Sequence, residues 1–195
     1  MGGVAERKAE LRAAARRAGG QPRDEDVRSC LEGLLALDPL AEAGCVALYS
    51  ATGAEVPVQL AHASLRARGA EVAFPRVAGD RIELARVDRL EDLRPGFRGI
   101  LEPPASLPPL DPGRPGVLVV PGVLFGRDGS RLGRGGGHYD RLLARSRPDA
   151  CRIGVCLAGR LRPTLPTDAR DEPVDVIVTE REVLYPSARA AREGR

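Results

Sequence analysis

The stretch Arg131-Leu-Gly-Arg-Gly-Gly-Gly-His-Tyr-Asp-Arg-Leu-Leu143 decides how this chain is read. It sets four glycines (Gly133, Gly135, Gly136 and Gly137) within five positions, with Arg134 among them. An apolar run, Val117–Val120, lies upstream and is followed by Pro121-Gly122. Downstream, Tyr139, Leu142 and Leu143 begin a helical pattern. Strand, glycine turn and helix start, in that order, suit an anion site. Glycine lets the backbone approach a ligand closely and take positive φ. The free N–H groups at a helix N-terminus, and its dipole, favour phosphate. Arg131 and Arg134 add fork-shaped donors for phosphate oxygens. Asp140 would repel a phosphate unless a divalent cation sat between them. Neither standard template is met. No Lys-Ser or Lys-Thr follows the glycines, and His138 stands where G-x-G-x-x-G needs its last glycine. On these residues alone, a phosphate cradle and a plain flexible loop are both open.

Working outward, the pattern alternates strands and helices. Residues 5–18 read as a basic helix stopped by Gly19-Gly20. A second helix runs to Leu37, capped by Asp24 or Asp26, with Val27, Leu31, Leu34 and Leu35 on one face. Residues 45–49 form a short apolar strand and 50–55 a loop around Gly53. A third helix over 58–68 turns Leu60 and Leu65 inward and stops at Gly69. A strand over 71–74 ends at Pro75, and 81–87 alternates as a half-exposed strand. The proline-rich 103–115 reads as an ordered wrap. Val117–Val120, 152–157 and 174–179 are strands, and 139–145 is a helix. These elements imply an α/β fold: one domain over 1–186, with a mainly parallel sheet and helices on both faces. The small, charged tail over 187–195 reads as frayed helix or disorder. In such sheets ligands sit beyond the carboxyl ends of strands, so the loops after Tyr49, Val120 and Leu157 are expected to share one edge.

Composition excludes several classes. A net charge of +3 with mixed signs is too weak an argument for nucleic acid, and aromatics at 3% remove stacking platforms. No apolar run approaches the roughly 18 residues needed to span a bilayer. The charged start of the chain has no apolar leader core, so a cytoplasmic location and no membrane partner are expected. Cys30, Cys45, Cys151 and Cys156 form no C-x-x-C pair and read as buried thiols. Lys8 is the single lysine in a chain that otherwise uses arginine. It is either a needed ammonium point charge or a chance survivor on a solvated helix face.

At this point the chain resembles a known family, the 5-formyltetrahydrofolate cyclo-ligases, also called methenyltetrahydrofolate synthetases. The resemblance is carried by Lys8-x-x-Leu11-Arg12-x-x-x-Arg16, by Leu48-Tyr49 with Gly53-x-Glu55-Val56, and by Phe74-Pro75-Arg76-Val77. It continues through Gly99-Ile100-x-Glu102-Pro103 and Pro121-Gly122-Val123-x-Phe125. The glycine stretch is its most specific part, and Leu165-Pro166, Asp171 and Ile177-Val178-Thr179-Glu180 close it in order. What the resemblance implies is a carbon–nitrogen ligase that uses ATP and Mg2+ to cyclise 5-formyltetrahydrofolate, working as a monomer.

By the same resemblance, ATP would be held by Lys8, Arg12, Arg131, Leu132, Gly133, Arg134, Gly135, Gly136, Gly137, His138 and Tyr139, with Lys8 and Arg134 catalytic. The reduced folate would meet Ser50, Glu55, Phe125 and residues 134–139, with Glu55 accepting from pterin N–H groups. Asp140 and Asp171 would hold the metal. The chain departs from the family at His138 (a tyrosine), Arg160 (a glutamine), Arg170 (a histidine), Pro57-Val58 (Asp-Thr) and Ser50 (a leucine). Most departures fall on the folate side. Two other readings therefore stand beside the first: a diverged ATP-dependent enzyme acting on another formyl or amide compound, and a nucleotide-binding protein with little catalysis.

Overall fold

The computed structural model describes residues 3–186. The tail expected over 187–195 lies outside them. The chain opens with α1 (Val4–Ala18), which stops at Gly19. The Gly19 N–H donates back to the Arg16 carbonyl, and Gly19 takes the positive φ that ends a helix cheaply only for glycine. The second helix, α2 (Asp24–Leu35), carries three acids in its first turn, where the helix dipole favours them. Neither Asp24 nor Asp26 caps it: the N-cap is Arg23, which pairs with Asp26. It also ends before Leu37. Pro39 has no N–H and suits only a first turn, so α3 (Asp38–Glu42) starts afresh there.

After β1 (Cys45–Ala47), the expected third helix is in two parts, a 3₁₀ turn over Val58–Ala61 and α4 (His62–Ala67). Three residues per turn put Val58 and Ala61 inward and swing Leu60 out, where it is 55% exposed. Leu65 is buried as expected. The strand β2 (Glu71–Ala78) runs through Pro75, against expectation. Its pairing with β1 ends at Ala73, so the absent Pro75 N–H breaks no bond on that side. It turns at Gly79-Asp80 into antiparallel β3 (Arg81–Arg86). The pair β4 (Arg94–Pro95) and β5 (Leu101–Glu102) forms a small hairpin. The proline-rich wrap is ordered. Arg76 donates to the carbonyls of Pro104 (2.9 Å) and Leu107 (2.7 Å), and Leu110 bridges to Leu84.

The remaining elements are β6 (Val117–Val120), β7 (Leu124–Gly126), β8 (Arg131–Leu132), α5 (His138–Leu143), β9 (Cys151–Val155), β10 (Leu161–Arg162), β11 (Val176–Val178) and β12 (Val183–Leu184). The main sheet runs β12-β11-β9-β6-β1-β2-β3, parallel across its five central strands and antiparallel at both edges. Alternate side chains fill opposite faces. Val46, Val119, Ile153 and Val178 join Cys30, Leu34 and Leu65 on the α2 and α4 side. Ala47, Leu118, Val120 and Ile177 join Leu142 and Leu143 of α5 on the other. The expected α/β fold, with a mostly parallel sheet and helices on both faces, is what forms. A second, three-stranded sheet, β10-β7-β8, packs Leu124 and Leu132 against Ala15 of α1.

Phe125 joins the two sheets. Its ring is fully buried, and a Cβ added at Gly154 would stand 2.3 Å from it. Gly154→Ala is therefore expected to destabilise the fold by about 1–3 kcal/mol through overpacking. An unchanged midpoint in a urea titration would contradict that packing.

Candidate active site

The loops after β1, β6 and β9 leave the carboxyl ends of adjacent parallel strands, as expected. The first is held from below. Tyr49, fully buried, donates to the Val56 carbonyl at 3.1 Å, and burial pushes its phenol well above the ordinary value. Gln59 accepts from the Ala51 N–H at 3.1 Å. Within the loop, Glu55 accepts from the backbone N–H of Thr52 at 2.9 Å and from its hydroxyl at 3.2 Å. Ser50 is buried nearby, and its hydroxyl has no hydrogen-bond partner among the described residues.

The glycine stretch faces that loop. Arg131 and Leu132 belong to β8, which narrows the turn to 133–137. Gly135 (φ 104°) and Gly137 (φ 64°) hold left-handed conformations that other residues avoid. Arg12, one helical turn beyond Lys8, donates to the Gly133 carbonyl at 2.7 Å and lies over Gly135. Arg134 reaches across to the Thr52 carbonyl (3.2 Å) and the Glu55 carboxylate (3.1 Å). His138 folds back over Gly136. The helix that follows has six residues, fewer than the seven expected, and less than two turns carry little dipole. The capacity to hold an anion therefore rests on the amides of the turn and on the cations around it.

Behind the turn, charges form one network. Lys8 is 6% exposed, and its ammonium donates to Asp168 Oδ2 at 2.7 Å and to Asp171 Oδ2. Burial alone would lower its pKa, but the two hydrogen bonds and the charges of Asp168 and Asp171 outweigh it, and the net shift is upward. The Lys8 hydrogen bond holds the Asp168 carboxyl down at about 2. Arg131 donates to Asp140 Oδ1 at 2.6 Å and to the Pro121 carbonyl at 3.2 Å. The Glu172 N–H also reaches Asp140 Oδ1, at 3.3 Å. Tyr139 stands beside this network with the Arg131 guanidinium 6.0 Å from its ring centre, and burial, then the charge of Glu55, raises its phenol.

Several residues serve otherwise than the sequence implied. Phe125 is core and walls no opening. The Leu132 side chain is equally buried, which leaves only its backbone for a ligand. Arg131, with a side chain 2% exposed, is the counter-charge of Asp140 and not a free fork. Arg160 donates to the carbonyls of Ala15 and Gly19, each at 2.7 Å, and so anchors the end of α1. Arg170 is 93% exposed and lies against Asp168 at 3.6 Å. Asp168 itself was missed. Its signal was the spacing Asp168-Ala-Arg-Asp171, a tight turn closed by the Asp171 N–H on the Asp168 carbonyl. All four cysteines are free and buried, and burial pushes the thiols of Cys30 and Cys156 up to about 12, as fits inert core residues.

Among the described residues no three His, Cys, Asp or Glu side chains form a metal cage. Asp140 and Asp171 nonetheless suit a hard cation carried in by phosphates. Each commits one oxygen, Asp140 Oδ1 to Arg131 and Asp171 Oδ2 to Lys8 and the Asp168 N–H. No hydrogen bond from a described residue ends on the other oxygen of either. Mg2+ is commonly held by one or two carboxylates together with substrate phosphates.

Comparison with known proteins settles the lineage. The model of the 5-formyltetrahydrofolate cyclo-ligase family matches residues 4–180. The chain belongs to this family. It is 30% identical over 131 residues to a Schizosaccharomyces pombe protein described as a probable 5-formyltetrahydrofolate cyclo-ligase, over 60% of this chain and 64% of that one. The match thus spans under two thirds of that relative's length. The structure is similar to the 5,10-methenyltetrahydrofolate synthetase of Aquifex aeolicus, with 33% identity, a TM-score of 0.81, and 92% and 93% of the two chains covered. The fold is also that of the Mycoplasma pneumoniae synthetase, at 22% identity and a TM-score of 0.71 over 89% and 99% of the chains. No helix among the described residues is long and apolar enough to cross a membrane.

The carboxyl of Asp168 titrates lower in the folded chain than in the unfolded one, where it is about 4. Its pairing with Lys8 therefore stabilises the fold above about pH 4 and is lost as pH falls through about 2. Lys8→Met should flatten this part of an acid-denaturation curve. A variant curve parallel to the wild type across that window would remove the pair from the stability of α1.

Proposed function

We propose that the protein closes 5-formyltetrahydrofolate to 5,10-methenyltetrahydrofolate with conversion of ATP to ADP and phosphate. The observation that carries this reading is the meeting of Arg12 and Arg134 at one glycine turn, with Glu55 paired to Arg134 and Lys8 one helical turn from Arg12, in a chain of this family. The triphosphate would lie along the amides of 133–137, with Arg12 over Gly135 and Lys8 beyond it. The pterin would bind Glu55 through its N–H donors, the pairing a carboxylate makes best. Those donors would take the oxygen that Arg134 now holds and release its guanidinium toward the γ-phosphate.

The chemistry then follows from placement. The formyl oxygen attacks the γ-phosphorus, the bond to the ADP oxygen breaks, and an imino-phosphate forms. N10 next attacks the formyl carbon and gives up its proton, and phosphate leaves with the former formyl oxygen and takes that proton. Lys8, Arg12 and Arg134 would stabilise charge that grows on the γ-phosphate oxygens and the leaving ADP. Mg2+ held by Asp140 and Asp171 would neutralise the phosphate charge when bound. The departures at Arg160 and Arg170 weigh little against a folate substrate, since one anchors α1 and the other points to solvent. The reading includes a monomer and no nucleic-acid or membrane partner.

Purified protein mixed with Mg-ATP and 5-formyltetrahydrofolate should develop the absorbance of the methenyl product. ATP binding without product would leave another formyl or amide substrate, or a binding role alone. Lys8→Ala should lower kcat/KM for ATP by roughly 10²–10³-fold, the usual loss of one transition-state donor. Glu55→Gln should instead raise the folate KM by roughly 10–100-fold, the worth of a charge-assisted bond. Equal effects on both substrates would place these two side chains elsewhere.

A further inference from the structure

Arg152 lies outside the residues the reaction calls for, yet it is wired to the carboxylates that bear on it. It sits in β9, flanked in register by Leu118 of β6 in the middle of the main sheet. Its side chain is buried on the α5 face. One terminal guanidinium nitrogen donates to Glu172 Oε2 at 2.6 Å, the other terminal nitrogen to the Leu143 carbonyl at 2.9 Å. Leu143 closes the helix that carries Asp140. Glu172 follows Asp171 directly, and its own N–H reaches Asp140 Oδ1. The Arg152 backbone exchanges bonds of 2.8 Å with Asp175, its N–H to the Asp175 carboxylate and its carbonyl from the Asp175 N–H.

Two segments far apart in sequence are thus tied to one guanidinium. The first is α5 with Asp140, and the second is the turn of Asp168 and Asp171. A buried guanidinium paired with a half-buried carboxylate is an expensive way to gain stability. Desolvation offsets most of its Coulomb energy, and apolar residues of the same volume usually do as well. What a planar fork with two fixed directions does better than an apolar side chain is to set geometry. We propose that Arg152, acting through Glu172, is a positioning residue that sets the spacing between Asp140 and Asp171 for a phosphate-bound divalent cation. The inference rests on the function proposed above. Partners that orient metal-binding carboxylates commonly change metal affinity about 10- to 100-fold when removed.

Glu172→Gln and Arg152→Lys test it. Mn2+ would be titrated by electron paramagnetic resonance into each full-length protein with the ATP analogue AMP-PNP. Both variants should bind Mn2+ about 10- to 100-fold more weakly in the ternary complex. The Mg2+ needed for half-maximal rate should rise in step, while kcat at saturating metal stays near wild type. A lower melting temperature with unchanged Mn2+ affinity overturns the proposal, and so does an equal loss of AMP-PNP binding in the presence of EDTA. If Arg152→Lys does not fold, Glu172→Gln decides alone. Wild-type protein that binds Mn2+ and AMP-PNP but forms no methenyl product defeats the proposed function and leaves this inference standing. Wild-type turnover with variants that match it in metal affinity defeats this inference only.

Discussion

An ammonium group with almost no access to water must find its charge balanced locally, and Lys8 finds it 160 positions along the chain, in Asp168, and in Asp171. That pairing ties the N-terminal helix to the Asp168 turn, beside the packing of Ala15 on Leu124 and Leu132. With Lys8 held by the Asp168 turn at one end of α1 and Arg160 holding its last carbonyls at the other, the helix has no freedom to slide. Arg12 then stands where it can reach Gly133. Two cations spaced one helical turn apart project from one helix face, a spacing that a triphosphate can span. A surface ion pair would not accomplish this, because exposed pairs contribute little. Burial of the Lys8 ammonium makes a carboxylate partner obligatory.

The sheet supplies the platform beneath. Its parallel central strands deliver three loops to one edge, and the two faces are sealed by separate cores. Phe125 links that platform to the small sheet bearing β8 and the glycine turn, and it can do so only because Gly122 and Gly154 leave room for its ring. The turn is thereby anchored at its base by the buried β8.

How much of this was legible follows from the range of the forces involved. Apolar periodicity is local, so the strand Val117–Val120, the strands expected over 152–157 and 174–179 (which form over Cys151–Val155 and Val176–Val178), and the helices α1, α2 and α5 were readable along the chain, the ends less closely than the cores. So was the ordered wrap. The 3₁₀ turn at Val58–Ala61 was not, because Leu60 fits a helical face equally well until packing selects Val58 and Ala61. Pro75 misled because a proline is tolerated wherever one ladder has already ended. The glycine turn and the isolated lysine stood out along the chain as candidates. Asp168, Glu172, Arg152 and the role of Arg160 did not, since each acts on a partner remote in sequence and none belongs to a local pattern. Phe125 shows the converse failure: a resemblance transfers a residue's address more reliably than its surroundings.

The cations of the site all have partners already. Lys8 holds two aspartates, Arg131 holds Asp140, Arg134 holds Glu55 and Arg12 holds the Gly133 carbonyl. A ligand phosphate therefore gains only the difference between its own bonds and those it replaces, which lowers raw affinity. What the arrangement gains is order, because side chains as long as arginine and lysine lose considerable rotamer freedom when they are fixed. For the buried Lys8 and Arg131 that freedom is already lost before a ligand arrives. The exchangeable contacts are also unequal. Arg131 is sealed between Asp140 and Pro121, whereas Arg134 is the exposed member and its partner Glu55 faces the same opening. Under the function proposed above, the Arg134–Glu55 contact is thus the one a pterin and a phosphate would take apart together, each removing a partner of the other's binding group. Binding of either should ease binding of the second, a coupling that needs no movement of the sheet below.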